Sequence, residues 1–197
     1  MTRIGIVVGT TRPGRRGHAV AAWIAAAAAR RHPDADFEIV DLADFGLPLL
    51  DEELPAMAGR YAHPHTRRWA DAIARLDSFV FVTPEYNHSV PGALKNALDF
   101  LYAEWNDKAA GVVSYGVHGG TRAAEHLRLI LSELRVATVR SQVALSLRDD
   151  FTAPAAEGPA TTAVAPDPHT HGPLGALLDD VLSWSRALEP VREGVPA

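Results

Sequence analysis

The chain has 197 residues, 47% hydrophobic and 22% charged, with 19 basic against 24 acidic side chains and a net charge of −5. These figures describe one globular domain over residues 1–197 and exclude disorder, collagen and repeat arrays. Cysteine is absent, which removes disulfides, thiolate zinc sites and a cysteine nucleophile, while the mild acidity argues against nucleic-acid binding.

Met1-Thr2-Arg3 leads directly into an apolar run too short for a signal peptide. The longest apolar stretch, 19–29, falls short of the roughly 20 residues a bilayer requires. A cytoplasmic protein without a membrane partner is expected. Residues 4–8 (IGIVV) predict a buried strand ending at Gly9. The alanine-rich stretch 17–31 predicts a helix, with Arg30 and Arg31 at the negative end of its dipole. Residues 37–42 read as a second strand, 66–76 as a helix with Trp69, Ile73 and Leu76 on one face, and 78–83 as a third strand. A helix over 91–105 begins at Pro91 and aligns Leu94, Leu98 and Leu101. Residues 109–114 predict strand four, 121–135 a helix and 137–146 strand five. The stretch 147–173, rich in Pro, Ala, Thr and Gly and without a period that buries a face, predicts a mobile loop. Leu174, Leu177, Leu178, Val181, Leu182 and Leu188 mark the last helix. Apolar strands alternating with helices predict an α/β fold, a doubly wound five-stranded parallel sheet with helices on both faces.

In such sheets ligands bind beyond the carboxyl ends of the strands. After strand one comes Gly9-Thr10-Thr11-Arg12-Pro13-Gly14-Arg15-Arg16-Gly17-His18, whose glycines, hydroxyls and arginines lead into a helix N-terminus. Free N–H groups, the positive dipole end and guanidinium forks favour a phosphate dianion. The dinucleotide fingerprint fails at its second glycine. The P-loop pattern matches Gly9 and Gly14, but Arg15 and Arg16 stand where Lys and Ser/Thr belong. A monophosphate held without metal remains, which suits FMN at the switch point of a flavodoxin-like strand order. Arg15 and Arg16 are left between the 2′-phosphate of NADPH and plain solvent. After strand three, Thr83-Pro84-Glu85-Tyr86-Asn87 offers a rigid backbone, an aromatic face and amide groups where a flat heterocycle would lie.

Gly9-Thr10-Thr11-Arg12-Pro13-Gly14-Arg15, Thr83-Pro84-Glu85-Tyr86-Asn87 and Pro91-Gly92-Ala93-Leu94-Lys95-Asn96-Ala97-Leu98-Asp99 together resemble the NAD(P)H-dependent FMN reductase family of flavodoxin-like flavoproteins. The resemblance takes in Leu47-Pro48-Leu49-Leu50-Asp51 and Ser114-Tyr115-Gly116-Val117-His118-Gly119-Gly120, and so spans about residues 3–146. It implies FMN as cofactor and NADPH or NADH as reductant. Thr10, Arg12, Arg16, Gly17 and His18 would serve the phosphate; Pro84, Glu85, Tyr86 and Asn87 the ring and ribityl chain; and Ser114, Gly116 and Gly119 the far edge of the ring. The implied activity carries hydride from nicotinamide to bound FMN, then electrons to a quinone, azo compound, metal oxyanion or flavin by a ping-pong mechanism. The alternative is a flavodoxin-type electron carrier, which the arginine-bearing loop disfavours.

The pairs His63-x-His65 and His169-x-His171 supply too few ligands for zinc and read as solvated loop histidines, so no metal is expected. Glu85 reads as structural, because the flavin carries the chemistry. By analogy with the family, a homodimer or homotetramer is expected, with the 91–105 helix and its Phe100, Tyr102 and Trp105 as candidate interface.

Overall fold

The computed structural model describes residues 1–152, 164 and 168–194, the side chains of 168 and 169 aside. Five strands, β1 (Arg3–Val8), β2 (Asp36–Asp41), β3 (Ser78–Pro84), β4 (Ala109–Gly116) and β5 (Ala137–Ser146), form one sheet in the order β2-β1-β3-β4-β5. Every pairing is parallel. β3 and β4 are buried at every position, which explains their largely apolar sequence: helices cover both faces. The order makes β1/β3 the switch point, where the chain turns from building one side of the sheet to building the other. Register aligns Val8 with Val82 and Pro84 with Tyr115, so the first, third and fourth strands end at one edge.

Two apolar cores flank the sheet. On one face α1 (Gly17–Arg31) and α5 (Pro168–Ala187) bury Val20, Ile24, Leu177 and Val181 against Ile4, Ile6, Val80 and Val113. On the other, α2 (Pro64–Ala74), α3 (Gly92–Asp99) and α4 (Thr121–Glu133) pack Trp69, Leu98 and Leu127 against Val7, Phe79 and Phe81. A short α6 (Glu189–Arg192) follows α5. Arg31 grips Asp179 with two hydrogen bonds of 2.7 and 2.6 Å and ties α1 to α5. No helix among the described residues is long and apolar enough to cross a membrane.

Several expectations change. The helix read over 91–105 ends at Asp99; Phe100, Leu101 and Trp105 fill the core from irregular backbone, and Trp105 meets Phe79 at 5.0 Å between ring centroids. Phe100 and Trp105 are fully buried in this chain, so neither belongs to an interface. Of the loop expected over 147–173, residues 153–163 and 165–167 lie outside the described residues. α5 begins inside that stretch, at Pro168, and carries Pro173. Burial of Leu174, Leu177, Leu178 and Val181 outweighs the hydrogen bond that proline forfeits. His171 therefore sits in α5 and His65 in α2, where its Nε2 lies 3.0 Å from Asp51 Oδ1, rather than both in loops.

Candidate functional site

At the carboxyl edge of β1, β3 and β4 a cleft of about 390 Å³ opens between the first loop and the turn after β3. Arg12, Arg15, Arg16, Pro84, Tyr86 and Tyr115 line it, with Gly14, Glu85 and Leu147. The first loop is built by a turn: Arg15 N–H donates to Arg12 C=O at 3.1 Å, with Pro13 and Gly14 between them. Pro13 sets the first corner and Gly14, at φ +68°, supplies the left-handed second one, the pattern of a type II turn. The turn brings three guanidinium groups to one cleft with different partners.

Arg15 donates to Asp41 at 2.7 Å, and Asp41, only 6% exposed at the end of β2, also accepts Ala43 N–H at 3.0 Å. Arg16 lays its guanidinium over the ring of Phe151, 5.0 Å from the centroid. Arg12 is exposed and meets no acidic partner among the described residues. α1 begins at Gly17 with no side-chain cap and no acidic residue in its first turn, leaving its positive end facing this loop. An uncapped helix start and unpaired arginine donors are the donor set a phosphate dianion requires, so the residues present fit FMN.

Opposite, the turn after β3 is held from three sides. Tyr86 and Ser89 exchange backbone hydrogen bonds of 2.9 and 3.2 Å around Asn87 and His88, both at positive φ, as a two-residue hairpin turn demands. Glu85 pairs with the Arg122 guanidinium, Nε 3.0 Å from Oε1, and accepts from Arg122 N–H at 3.2 Å, which caps the start of α4. Arg122 also donates to His88 Nδ1 at 3.1 Å, and Ser89 Oγ lies 2.9 Å from His126 Nδ1. Glu85 is thus tied to the start of α4 by Arg122. Thr10 Oγ1 and Tyr86 Oη share a hydrogen bond of 3.0 Å, joining the first loop to this turn.

The loop after β4 closes on itself. Ser114 Oγ donates to Gly119 C=O at 2.7 Å, Gly119 N–H donates to Gly116 C=O at 3.2 Å, and Gly119 and Gly120 both take positive φ. A Cβ on Gly120 would stand 2.8 Å from both N and O of Tyr115, so only glycine fits there. Tyr115, beneath Gly17 N–H, has its phenol pushed well above the ordinary range, chiefly by burial and then by Tyr86.

Of the twelve residues expected to hold the cofactor, the cleft itself is lined by Arg12, Arg16, Pro84, Glu85 and Tyr86. Thr10, Gly17, Ser114 and Gly116 are buried behind it as loop ties, Gly119 forms the closing turn, Asn87 is exposed at the turn's tip, and His18 is 64% exposed with Nδ1 3.6 Å from Asp41. Tyr115 and Leu147 line the cleft without having been expected; Tyr115 was legible as the neighbour of Ser114 at the end of a strand, Leu147 only through the fold. A larger hollow, about 650 Å³, lies at the opposite edge of the sheet beside Asp77, Lys108 and Arg192, away from the strand ends where ligands bind.

A model of the NADPH-dependent FMN reductase family matches residues 2–150. An NAD(P)H-dependent FMN reductase of Schizosaccharomyces pombe is 41% identical over 150 residues, 75% of this chain and 74% of that protein. A 2-hydroxy-1,4-benzoquinone reductase of a Burkholderia species is 29% identical over 191 residues, 93% of this chain and 96% of that one. The solved structure of FerB, an NAD(P)H:(acceptor) oxidoreductase of Paracoccus denitrificans, superposes with a TM-score of 0.72 at 26% identity, covering 95% of this chain and 98% of that one. With its strand order, its phosphate-ready first loop and these relatives in agreement, the chain belongs to the NADPH-dependent FMN reductase family.

Proposed function

We propose that this chain, by its family an NAD(P)H-dependent FMN oxidoreductase, works by a ping-pong mechanism on small acceptors, of which quinones are the best supported through the Burkholderia relative. FMN, when bound, supplies the redox chemistry, taking hydride from NAD(P)H and passing electrons to a quinone, azo compound, metal oxyanion or free flavin. The observation that carries this reading is the cleft, where Arg12, without an acidic partner among the described residues, and an uncapped α1 face the turn of Pro84 and Tyr86. In this reading Arg12 and Arg16 hold the phosphate and Pro84, Tyr86 and Asn87 seat the ring and ribityl chain. Ser114, Gly116 and Gly119 keep the far loop low enough for the ring to approach.

One cleft serves reductant and acceptor in turn, since each must stack on the same exposed flavin face. Glu85, the acidic side chain lining the cleft, is engaged by Arg122, so acceptor choice rests on shape more than on proton donation. The reading includes residues 1–197 acting as one FMN-binding domain in a cytoplasmic homodimer or homotetramer, whose mass light scattering measures. The decisive experiment is anaerobic stopped-flow mixing with NADPH and NADH, followed by quinone, free FMN, chromate and an azo dye. Parallel lines in two-substrate plots are expected; intersecting lines, or a flavin that neither nicotinamide reduces within minutes, overturn the mechanism.

A further inference from the structure

We propose that Phe151 is a positioning residue for the flavin phosphate, holding the Arg16 guanidinium at the cleft through the face of its ring. This rests on the reading that the first loop takes the phosphate of FMN. Phe151 lies one residue beyond the stretch that the family model matches, in the segment after β5 for which neither composition nor resemblance offers a role.

The segment is fixed at its root. Leu147 N–H donates to Gly116 C=O at 3.0 Å, Asp150 N–H donates to Ser146 C=O at 3.0 Å, and Ser146 N–H donates to Asp150 Oδ2 at 2.7 Å. That turn delivers Phe151, 8% exposed, onto Tyr115 at 5.9 Å between centroids, and its backbone bridges Val164 in antiparallel sense. Tyr115 in turn lies against Gly17, the first residue of α1. One side of the cleft is therefore a series of contacts in which Tyr115 backs Phe151 and Phe151 backs Arg16.

Stacking suits an anion-binding arginine. The cation sits over the ring of Phe151 and gives no donor to a carboxylate among the described residues, so its N–H groups remain available to phosphate oxygens. Arg15, with a donor given to Asp41, lacks that freedom. A flexible arginine loses rotamer freedom when it clamps an anion; one already seated on a ring loses less, which is preorganisation. Phe151 thus raises phosphate affinity without touching phosphate.

The test compares FMN with riboflavin, which lacks the phosphate, by quenching of flavin fluorescence on titration with apoprotein. Phe151→Leu keeps an apolar side chain and removes the ring; about a three- to tenfold weaker Kd for FMN is expected, with riboflavin unchanged. Phe151→Tyr should restore FMN affinity, which guards against a Leu variant that merely packs poorly. Arg16→Ala should weaken FMN about tenfold, and adding Phe151→Leu to it should cost nothing more, since the ring acts through the arginine. Additive losses, an equal loss for riboflavin, or wild-type FMN affinity in Phe151→Leu overturn the proposal. So does a loss confined to NADPH over NADH at unchanged FMN affinity, which would assign Arg16 to the nicotinamide cofactor. Failure of the underlying reading looks different: Arg12→Ala would then bind FMN as the wild type does.

Discussion

Arg12 and Arg15 flank one turn, carry the same charge and line the same cleft, yet their removal should have different consequences. Arg12 has no partner to lose among the described residues, so Arg12→Ala should leave the urea-unfolding free energy of the apoprotein within about 0.5 kcal/mol of wild type. Its contribution appears only with the dianion. A charge-assisted hydrogen bond is worth about 1.5–3 kcal/mol, and 1.4 kcal/mol is a tenfold change, so the Kd for FMN should rise by about one to two decades. Arg15→Ala strips the partner from Asp41, whose carboxylate is 6% exposed. Breaking a buried pair costs about 3–5 kcal/mol, but Arg15 is 24% exposed and Asp41 keeps its bond from Ala43 N–H, which lowers the expectation to about 1–2 kcal/mol. Asp41 would also stand uncompensated near the phosphate, so Arg15→Ala should weaken FMN as well, and adding Asp41→Asn should recover both losses. Denaturation of the apoproteins and fluorescence titration with FMN and riboflavin measure the two quantities. Equal FMN affinity in Arg12→Ala and wild type refutes the assignment of the principal phosphate ligand.

Gly120→Ala should lower stability by about 2–4 kcal/mol, because a left-handed Ala costs about 1–2 kcal/mol and its Cβ would stand 2.8 Å from the Tyr115 backbone. Gly14→Ala, at nearly the same φ with nothing within 4 Å, should cost only about 1–2 kcal/mol; equal losses in urea titrations would contradict the clash. Burial pushes the Lys108 amine down to about 8, from an ordinary lysine value of 10.5. Between those values the unfolded chain binds a proton that the folded one has released, so stability should rise with pH across roughly pH 8–10. Lys108→Met should abolish that rise, and identical pH slopes in the two proteins would show that Lys108 does not titrate there.

How much of this was legible in advance follows the range of the interactions. Strands and helices announce themselves locally: β3 and β4 are largely apolar because both faces are covered, and α1 repeats apolar and small residues at Gly17, Val20, Ala21, Ile24 and Ala28 because that face meets the sheet. The turn geometry of Arg12 to Arg15 was legible too, since Pro13 and Gly14 encode it. What was not legible is partner choice. Arg15 finds Asp41 26 positions away and Glu85 finds Arg122 37 positions away, and neither pair has a local signature. Phe100 to Trp105 misled for a related reason: its apolar spacing fits a helix, but two full-sized aromatics reach the core only if the backbone leaves helical geometry after Asp99.

The partner choices decide what the cleft can do. Two carboxylates stand close to it, Asp41 and Glu85, and each is engaged by an internal cation, one from within the first loop and one from α4. Each pair does double work, since Asp41 also anchors the turn after β2 and Glu85 also caps a helix. The acids that hold the loops in place are thereby neutralised toward a ligand, and the charge presented to it comes from Arg12, Arg16 and the open end of α1. A site of that kind attracts a dianion strongly and offers little acid or base of its own. Its chemistry must then enter with the molecule that the positive end holds, so the proposed flavin phosphate site and the proposed tolerance of acceptors would both follow from the same arrangement.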